Sequence, residues 1–581
     1  MNAGCRKFPS ALTTALLAAA LSRAAAQSNT PVTLEDLGRQ VRLSNSRITF
    51  TVTKADATIR QLSLDHSPNL AGRGAYFAVA NSAGHDGWDF HNAEFRVVRQ
   101  SPDLAEIAST APIGGVRFTQ HYILRREDPG FYVFILAERR AGDPPEHVGQ
   151  VRWSFYLDPA RFNYQLASDD EQGPVPDLKN ARTLQDATYE LADGSVYTKY
   201  NYCVYLEDDW VHGMCGTNTG SQGVFIITPS AEFLQAPTKQ EITVHAGPII
   251  HRFLASGHFE PRELSSPAIP DGWTKACGPW FVYVNNGNSP AQIWADAKER
   301  AHQERQRWPY DWMRHPAYPL ERGSVHGTLK LFDGSQCASN ALMILTAPEP
   351  DWQLQVLNYI FSTRADAQGR FHIPAVRPGD YTLFAAVPGV TDEFRRDNIR
   401  VAAGQELDLG TVLFSPARYP VRLWQIGEAD RRTSGFRLAD QPRQYGLDRQ
   451  VPAELVYTVG ASSPSNDWYY AQAKPGDWKI LFQSQKTHTG EGVFTLGIAG
   501  QTRDPELEVR LNGKPIGSYK GGNSSALYRS AVLGSSYYEN KIIRFPAGLV
   551  QPGTNTLTLR LLRGSVMYDT LKLEIDGSSR D

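Results

Sequence analysis

Short segments in which apolar and polar residues alternate recur along nearly the whole chain, and this pattern constrains the fold more than any other feature. Residues 48–52 place an apolar side chain at every second position, as a half-buried strand requires. Residues 116–124 and 131–136 repeat the pattern, and the turn-forming residues 125–130 between them predict a hairpin. The sequence therefore predicts an all-β protein built mainly from antiparallel sheets.

The length of the chain predicts several domains, because 581 residues exceed what a single hydrophobic core holds. We expect one large antiparallel β-sandwich over residues 27–319. Short strands at regular intervals predict a smaller, seven-strand type of sandwich over residues 320–414. The strand pattern of residues 415–581 predicts a C-terminal jelly roll, an architecture that is common among sugar-binding modules.

One segment departs from the strand pattern and predicts a helix at the end of the first domain. Apolar residues recur at helical spacing between Pro290 and Trp308, and Ser289 is suited to cap the N-terminus while Pro290 suits the first turn. Pro309 is expected to end the helix. Residues 315–319 are rich in proline and predict a stiff linker to the next domain.

The first 26 residues have the composition of a secretory signal peptide. Arg6 and Lys7 form a basic start, residues 11–21 are apolar, and residues 24–26 are small, as a cleavage site requires. The apolar run is too short to span a membrane. We therefore expect a secreted, extracellular protein with residues 1–26 removed.

Four cysteines remain after the expected cleavage, and an oxidising compartment would allow them to form disulfides. We expect Cys203 to pair with Cys215 across a hairpin and, by elimination, Cys277 to pair with Cys337. Asn523 begins an Asn-Ser-Ser acceptor and is the expected site of a surface glycan.

The net charge is −2, from 59 basic and 61 acidic residues, which argues against nucleic acid as a partner. A smaller anionic ligand held by a few local cations stays open. The chain contains 12 Trp and 25 Tyr, which suit either sugar stacking or core packing. Residues 468–470, Trp-Tyr-Tyr, could form a sugar platform or fill a seam between domains.

A set of ordered motifs spans the mature chain, and through them the chain resembles the rhamnogalacturonan lyases of polysaccharide lyase family four. The most distinctive are Val-Tyr-Thr-Lys-Tyr at 196–200, Trp-Val-His-Gly at 210–213, Ser-Gly-His-Phe at 256–259 and Gly-Pro-Trp-Phe-Val-Tyr at 278–283. Further matching segments lie at 37–40, 224–230, 244–247, 293–298, 308–310, 318–319, 322–329, 379–383, 424–428 and 435–436.

The resemblance implies three β domains, with a large sandwich first, a fibronectin-III-like domain over 320–414, and a jelly roll like those of carbohydrate-binding modules over 415–581. It also implies an enzyme that cleaves the bond from rhamnose to O4 of galacturonic acid by β-elimination. The substrate would then be the backbone of rhamnogalacturonan I. Neither the endo or exo mode nor the tolerance of side chains follows from the sequence.

The same resemblance implies the residues of the site. The catalytic lysine of the family, which acts as base, falls on Lys199. The histidine that acts as acid falls on His258, because Ser-Gly-His matches directly; His212 and His245 also lie in family-like stretches and are the alternatives for this role. An arginine of the active site falls on Arg152.

The chemistry suits these residue types. Elimination removes the proton at C5, next to a carboxylate whose charge disfavours a carbanion, so a cation must neutralise it. An arginine does this bidentately without losing its own proton. A lysine with its ordinary pKa near about 10.4 is mostly protonated at neutral pH, so the base needs desolvation or a neighbouring cation such as Arg152. A histidine delivers the proton that the leaving oxygen needs.

Three other functions compete with this interpretation. A glycoside hydrolase would use two carboxylates, for which residues 169–171, Asp-Asp-Glu, are the candidates. A non-catalytic pectin-binding protein would hold the polymer uncleaved. A calcium-dependent lyase would need an acidic cage, which the sequence around Lys199 lacks; residues 85–89 could hold a structural Ca²⁺ or form a solvated turn. We expect no catalytic metal or cofactor, no nucleic-acid or membrane partner, and a monomer.

Overall fold

The computed structural model describes residues 30–80, 90–147, 149–259, 266–332, 334, 336–439, 445–524, 527 and 537–577. The expected signal peptide and the possible ion-binding residues 85–89 lie outside these ranges. Asn523, the expected glycan acceptor, lies within the described ranges and is exposed.

The first region is a succession of strands that ends at one long helix. Its strands are β1 (Thr33–Asp36), β2 (Gln40–Ser44), β3 (Ile48–Thr53), β4 (Ile59–Leu64), β5 (Ala71–Ala80), β6 (Glu94–Gln100), β7 (Leu104–Ile113), β8 (Val116–Arg125), β9 (Gly130–Glu138), β10 (Gln150–Leu157), β11 (Tyr164–Leu166), β12 (Gln172–Pro174), β13 (Arg182–Gln185), β14 (Thr188–Glu190), β15 (Val196–Thr198), β16 (Cys203–Tyr205), β17 (Val211–Cys215), β18 (Ser221–Ile227), β19 (Gln240–Ile242), β20 (Val244–His245), β21 (Ile249–Ala255) and β22 (Thr274–Gly287).

Two large sheets of this region pack face to face, as the alternating pattern predicts. The eight-stranded sheet has the order β1-β2-β3-β4-β5-β10-β21-β20, and the nine-stranded sheet has the order β12-β11-β17-β18-β22-β9-β8-β7-β6. Alternate residues of each strand enter the shared core. Trp153 of the first sheet and Trp280 of the second are fully buried, and their rings meet edge to face at 6.1 Å. The expected large antiparallel sandwich is confirmed.

Helix α1 (Pro290–Gln306) follows the last strand of the sandwich and confirms the predicted helix. The Ser289 hydroxyl accepts a hydrogen bond from the Gln292 N–H at 3.2 Å, and Pro290 occupies the first turn. Its apolar face, with Ile293 and Trp294, packs on the outer side of the nine-stranded sheet. No helix in the described ranges is both long and apolar enough to span a lipid bilayer.

The middle region is a second, smaller sandwich. Its strands are β23 (Gly323–Leu331), β24 (Gln336–Cys337), β25 (Leu342–Thr346), β26 (Ile360–Arg364), β27 (Arg370–Val376), β28 (Gly379–Ala386), β29 (Glu393–Val401) and β30 (Glu406–Phe414). One sheet has the order β24-β23-β27, with β30 parallel to β23, and the other has the order β26-β25-β28-β29. A core of its own lies between the two sheets.

The last region is held together by two long, bent strands. Its elements are β31 (Val421–Gly427), β32 (Leu455–Thr458), a short helix α2 (Pro464–Asp467), β33 (Ala471–Gln472), β34 (Gly476–Ser484), β35 (Glu491–Leu511), β36 (Lys514–Lys520), β37 (Glu539–Pro546) and β38 (Gly553–Asp576). β35 and β38 pair along most of their length, with several register shifts, and β38 also carries β31, β33 and β34. The all-β, multidomain fold class is thereby confirmed, whereas the residue numbers of the domain boundaries stay predictions.

The aromatic segment at 468–470 has a different role from either that the sequence suggested. Trp468 and Tyr470 are fully buried in the core of the last region. Trp468 meets Trp478 edge to face at 5.0 Å and also contacts Tyr568. These two side chains therefore form neither an exposed sugar platform nor a seam between domains, because they fill the interior of their own sandwich.

The expected disulfides are wrong, since all four cysteines are free. Cys203 lies on β16, which pairs with β19, whereas Cys215 lies on β17, which pairs with β18 in the nine-stranded sheet. The hairpin that was expected to join the two cysteines does not form, because each strand has another partner. Cys277 is buried in the first sandwich and Cys337 is exposed on the middle one.

A buried ion cluster joins the first and middle regions. Glu232 accepts hydrogen bonds from Arg322 and from Arg377, the latter at 2.8 Å. Burial by itself would raise the pKa of Glu232, but Arg377 and Arg322 outweigh it and hold that pKa below its ordinary value. The stabilisation is therefore present above the ordinary glutamate pKa and is lost as the pH falls below it.

Replacing Glu232 by alanine is expected to lower the free energy of unfolding by about 3–5 kcal/mol, because two buried guanidinium groups lose their counter-ion. Urea unfolding measures the loss. Asp65→Asn is the matched control: it breaks the exposed pair of Arg47 with Asp65, and we expect it to cost less than about 1 kcal/mol. Equal losses in the two variants would contradict the role of the buried cluster.

Candidate active site

The predicted site residues gather on the outer face of the eight-stranded sheet, the face turned away from the core. β10 and β21 are neighbours, and their register places Arg152 opposite Phe253 and Ser154 opposite His251. Trp153 lies between Arg152 and Ser154 in sequence and points into the core. Since successive side chains of a strand point to opposite faces, Arg152, Ser154, His251 and Phe253 share the outer face.

Lys199 stands at the rim of this face, where a single-turn 3₁₀ helix (Lys199–Tyr202) follows β15. Its Nζ lies 2.8 Å from Oδ2 of Asp186 and 5.4 Å from the centre of the Tyr200 ring. The Tyr200 hydroxyl donates to the same Asp186 oxygen at 2.8 Å. The lysine side chain is 14% exposed and Asp186 is 54% exposed, so the amine is partly sheltered while its counter-ion faces solvent.

His258 follows β21 and is fixed by a buried carboxylate. Its Nδ1 lies 2.6 Å from Oε1 of Glu241, and its Nε2 lies 3.3 Å from the side-chain nitrogen of Gln150. Burial would raise the pKa of Glu241, but the charges of His258 and Lys239 outweigh it and keep that pKa below its ordinary value. The ionised Glu241 therefore accepts the Nδ1 proton, and Nε2 is the second ring nitrogen, which the side-chain amide of Gln150 contacts.

Tyr200 connects the two predicted catalytic residues. Its ring centre is 6.4 Å from that of His258, in an edge-to-face contact, and it also contacts Nζ of Lys199. Tyr200 is fully buried. The structure therefore brings Lys199 and His258, 59 positions apart in the sequence, into contact with the same tyrosine ring.

Two histidines lie between Arg152 and Lys199. His245 and His251 stack at 5.0 Å, and the Ser154 hydroxyl is 2.7 Å from Nδ1 of His251. Burial lowers the pKa of His245 to about 4, and the charges of Lys199 and Arg152 act in the same direction. Burial and the neighbouring His245 hold the pKa of His251 well below its ordinary value. Both rings are therefore neutral at pH 7.

His212, an alternative to His258 as the predicted acid, lies behind β21 and not on the outer face. It is fully buried, with its Nδ1 2.6 Å from Asp209 and its Nε2 2.7 Å from the carbonyl of His251. Asp209 also pairs with Arg252, whose side chain is buried. This cluster supports the backbone of β21 and does not open onto the outer face.

In the acidic segment 169–171, which a hydrolase would use, Asp169 is hydrogen-bonded to helix α1. Asp169 accepts hydrogen bonds from Nζ of Lys298 at 2.7 Å and from the Trp294 indole at 2.6 Å, both on α1. The hydrogen bond from Lys298 lowers the pKa of Asp169. Among the described residues, no three His, Cys, Asp or Glu side chains are grouped so that they could hold a metal ion.

Sequence reasoning missed several residues of this site. Asp186 and Glu241 have no pattern that marks them, because their roles depend on contacts with distant segments. Tyr200 lies in the motif at 196–200, but no role was predicted for it. His251 could have been found, since the alternation of residues 249–255 places it on the same face as Phe253.

Comparison with known proteins gives matches in all three regions. A model described as the rhamnogalacturonate lyase family matches residues 18–193, and models described as polysaccharide lyase family 4 domain II and domain III match residues 335–409 and 422–573. A rhamnogalacturonate lyase of Dickeya dadantii is 35% identical over 503 residues, which cover 84% of this chain and 83% of that protein.

More distant relatives come from fungi. A probable rhamnogalacturonate lyase B of Aspergillus fumigatus is 25% identical over 554 residues, covering 80% of this chain and 82% of that protein. Rhamnogalacturonate lyase B of Emericella nidulans is 23% identical over 558 residues, which cover 79% of this chain and 82% of that protein. The similarity thus extends over most of the length of each protein.

Proposed function

This chain belongs to the rhamnogalacturonate lyase family of polysaccharide lyases, and from that premise we propose that it cleaves the rhamnose-(1→4)-galacturonic acid bond of rhamnogalacturonan I by β-elimination. The names of its relatives support this substrate. The observation that supports the assignment of roles is that Lys199 and His258 both contact the ring of Tyr200.

Arg152 receives the carboxylate of the galacturonic acid in this mechanism. A guanidinium binds a carboxylate through two parallel hydrogen bonds and stays charged, so it neutralises the acid group as a carbanion develops beside it. The neighbouring His245 and His251 are uncharged, and they offer hydrogen bonds to sugar hydroxyls without competing for the carboxylate.

Lys199 then removes the proton at C5. Its amine, which lies 2.8 Å from Asp186, has to leave that carboxylate and give up its own proton before it can accept the proton from C5. The electron pair of the C5–H bond forms the C4–C5 double bond, and the C4–O bond breaks. Fixed positive charge near the carboxylate stabilises the intermediate, which is the usual source of a large rate effect.

His258 supplies a proton to the departing oxygen. Glu241 holds Nδ1, so Nε2 delivers the proton, and the buried carboxylate compensates the positive charge of the protonated ring. The leaving alkoxide of rhamnose is a poor leaving group, so this step needs an acid.

The test is incubation of the protein with a rhamnogalacturonan I backbone and, separately, with homogalacturonan. We expect rising ultraviolet absorbance from an unsaturated product with the first substrate and none with the second. The product sizes separate the endo mode from the exo mode. Cleavage without absorbance would indicate a hydrolase, and binding without cleavage would indicate a non-catalytic protein; either result would overturn the proposal.

The proposed mechanism uses no metal, so activity is expected to survive EDTA within about twofold, since arginine supplies the positive charge that Ca²⁺ supplies elsewhere. The assay is the absorbance rate before and after chelation and after added Ca²⁺. A loss of activity that only Ca²⁺ restores would contradict a metal-free mechanism.

On the basis of the N-terminal composition, we also propose that the protein is secreted and degrades pectin outside the cell. We propose a monomer as the simplest oligomeric state. N-terminal sequencing of protein recovered from a culture medium is expected to begin at Gln27, and light scattering is expected to give the mass of one chain. A start at Met1, or a dimer mass, would contradict these two points.

A further inference from the structure

An unpaired cation stands on the outer face of the eight-stranded sheet, away from Lys199. The register of β5 and β10 shifts between Tyr156 and Leu157, so that Gly72 and Arg73 bulge out of the ladder. A bulge re-aims a side chain, and here it brings the Arg73 guanidinium over the ring of Tyr156, 5.0 Å from its centre. Arg73 is exposed, and within the described ranges it forms no salt bridge or hydrogen bond.

Aromatic rings lie beside this cation. Tyr76 and Tyr156 pair with ring centres 5.7 Å apart, and Tyr156 is only partly buried. Burial raises the pKa of Tyr156 to about 12, while Arg73 and Arg152 both act in the opposite direction, so this ring lies within the influence of two guanidinium groups. A guanidinium with no carboxylate partner, held over a partly exposed ring, is suited to a uronic acid. The guanidinium receives the carboxylate, while the ring positions the guanidinium and offers an apolar edge to the sugar.

This cluster continues the proposed catalytic site along the same strand. Arg152 and Tyr156 are four residues apart on β10, which corresponds to about 13 Å at the rise of a strand. Between them, Ser154 contacts the neutral His251. Along this face the order is therefore the cation Arg152, then the buried and uncharged pair of Ser154 and His251, then the second cation, Arg73 over Tyr156. A chain in which acidic and neutral sugars alternate presents its groups in the same order.

We propose that Arg73, Tyr76 and Tyr156 form a second uronate-binding subsite, which takes a further galacturonic acid of the polymer chain whose reacting unit lies on Arg152. The subsite rests on the proposed function, because that function supplies the alternating acidic substrate. It gives the protein a preference for long oligosaccharides over those that fill the catalytic position alone.

The experiment measures the dissociation constants of short and long rhamnogalacturonan oligosaccharides by calorimetry, in a Lys199→Ala background that prevents cleavage. Arg73→Ala is expected to raise the dissociation constant of the long oligosaccharide about tenfold, because a charge-assisted hydrogen-bonded pair is lost, and to leave that of the short one unchanged. It is also expected to reduce the salt dependence of the long ligand's binding. Tyr156→Phe keeps the ring and should bind normally, whereas Tyr156→Ala should weaken the long ligand.

Arg42→Ala is the matched control, since it removes an exposed arginine of the same sheet that is paired with Glu35; we expect no change. Equal weakening of short and long ligands, or none, would overturn the subsite. The absorbance assay on the wild-type protein separates the two proposals. If long-chain binding depends on Arg73 but the wild-type protein shows no elimination, the subsite stands and the lyase mechanism is rejected. If the wild-type protein shows elimination but Arg73→Ala has no effect on binding, the lyase mechanism stands and the subsite is rejected.

Discussion

Replacing Lys199 by alanine is expected to reduce elimination by about 10²–10⁴-fold, the usual contribution of a general base, while the fold stays intact. The Lys199 side chain contacts the exposed carboxylate of Asp186 and the ring of Tyr200. We therefore expect its loss to lower the free energy of unfolding by less than about 1 kcal/mol. The measurement is the initial rate of absorbance increase on rhamnogalacturonan, beside a melting curve of the same preparation.

Two further variants sharpen this test. Lys199→Arg keeps the positive charge but cannot serve as a base at neutral pH, so it should be as inactive as the alanine variant. Lys298→Ala removes a lysine of α1 that pairs with Asp169 and should retain full activity. A Lys199→Ala protein that turns over like the wild type would remove this residue from the mechanism.

Replacing His258 by alanine is expected to slow cleavage of the natural polymer by a similar factor of about 10²–10⁴, because the departing sugar alkoxide loses its proton donor. The loss should shrink for a synthetic uronate that carries an aryl group at O4, since an aryl oxide leaves without protonation. Rates on both substrates, measured for wild type and variant, give the comparison. Glu241→Gln should resemble His258→Ala in this selectivity, because Glu241 orients the ring.

A structural histidine would behave otherwise. If His258 only supported the fold, His258→Ala would lower the melting temperature and slow both substrates equally. His326→Ala, which changes an exposed histidine of the middle sandwich, is the control and should affect neither rate.

Local patterns in the sequence were sufficient to predict the elements of the fold. Alternation and turn residues identify β8 and β9 as a hairpin, and Ser289 with Pro290 marks the start of α1. Pairing between distant strands is not local, and there the predictions failed: the disulfide between Cys203 and Cys215 required β16 and β17 to be partners. Similarly, the burial of Trp468 depends in part on Tyr568, which lies 100 residues away in sequence.

In the candidate site, too, contacts between distant segments could not be predicted from local patterns. Lys199 and His258 were found by resemblance to a family, because nothing in their spacing places them together. The contact through Tyr200 depends on the 3₁₀ helix after β15 and on the pairing of β16 with β19. Arg73 was missed for another reason: strict alternation would place it on the core side, and only the bulge brings it to the outer face.

The pairing of Lys199 with Asp186 has a consequence for selectivity. Because Asp186 already holds the reactive amine, a ligand that engages Lys199 has to displace that carboxylate and must gain enough contact elsewhere to do so. A free sugar acid brings one carboxylate and little else, whereas a polymer brings many contacts at once. We therefore expect the protein to bind the small acids released during pectin breakdown only weakly. A tight complex with free galacturonate would contradict this.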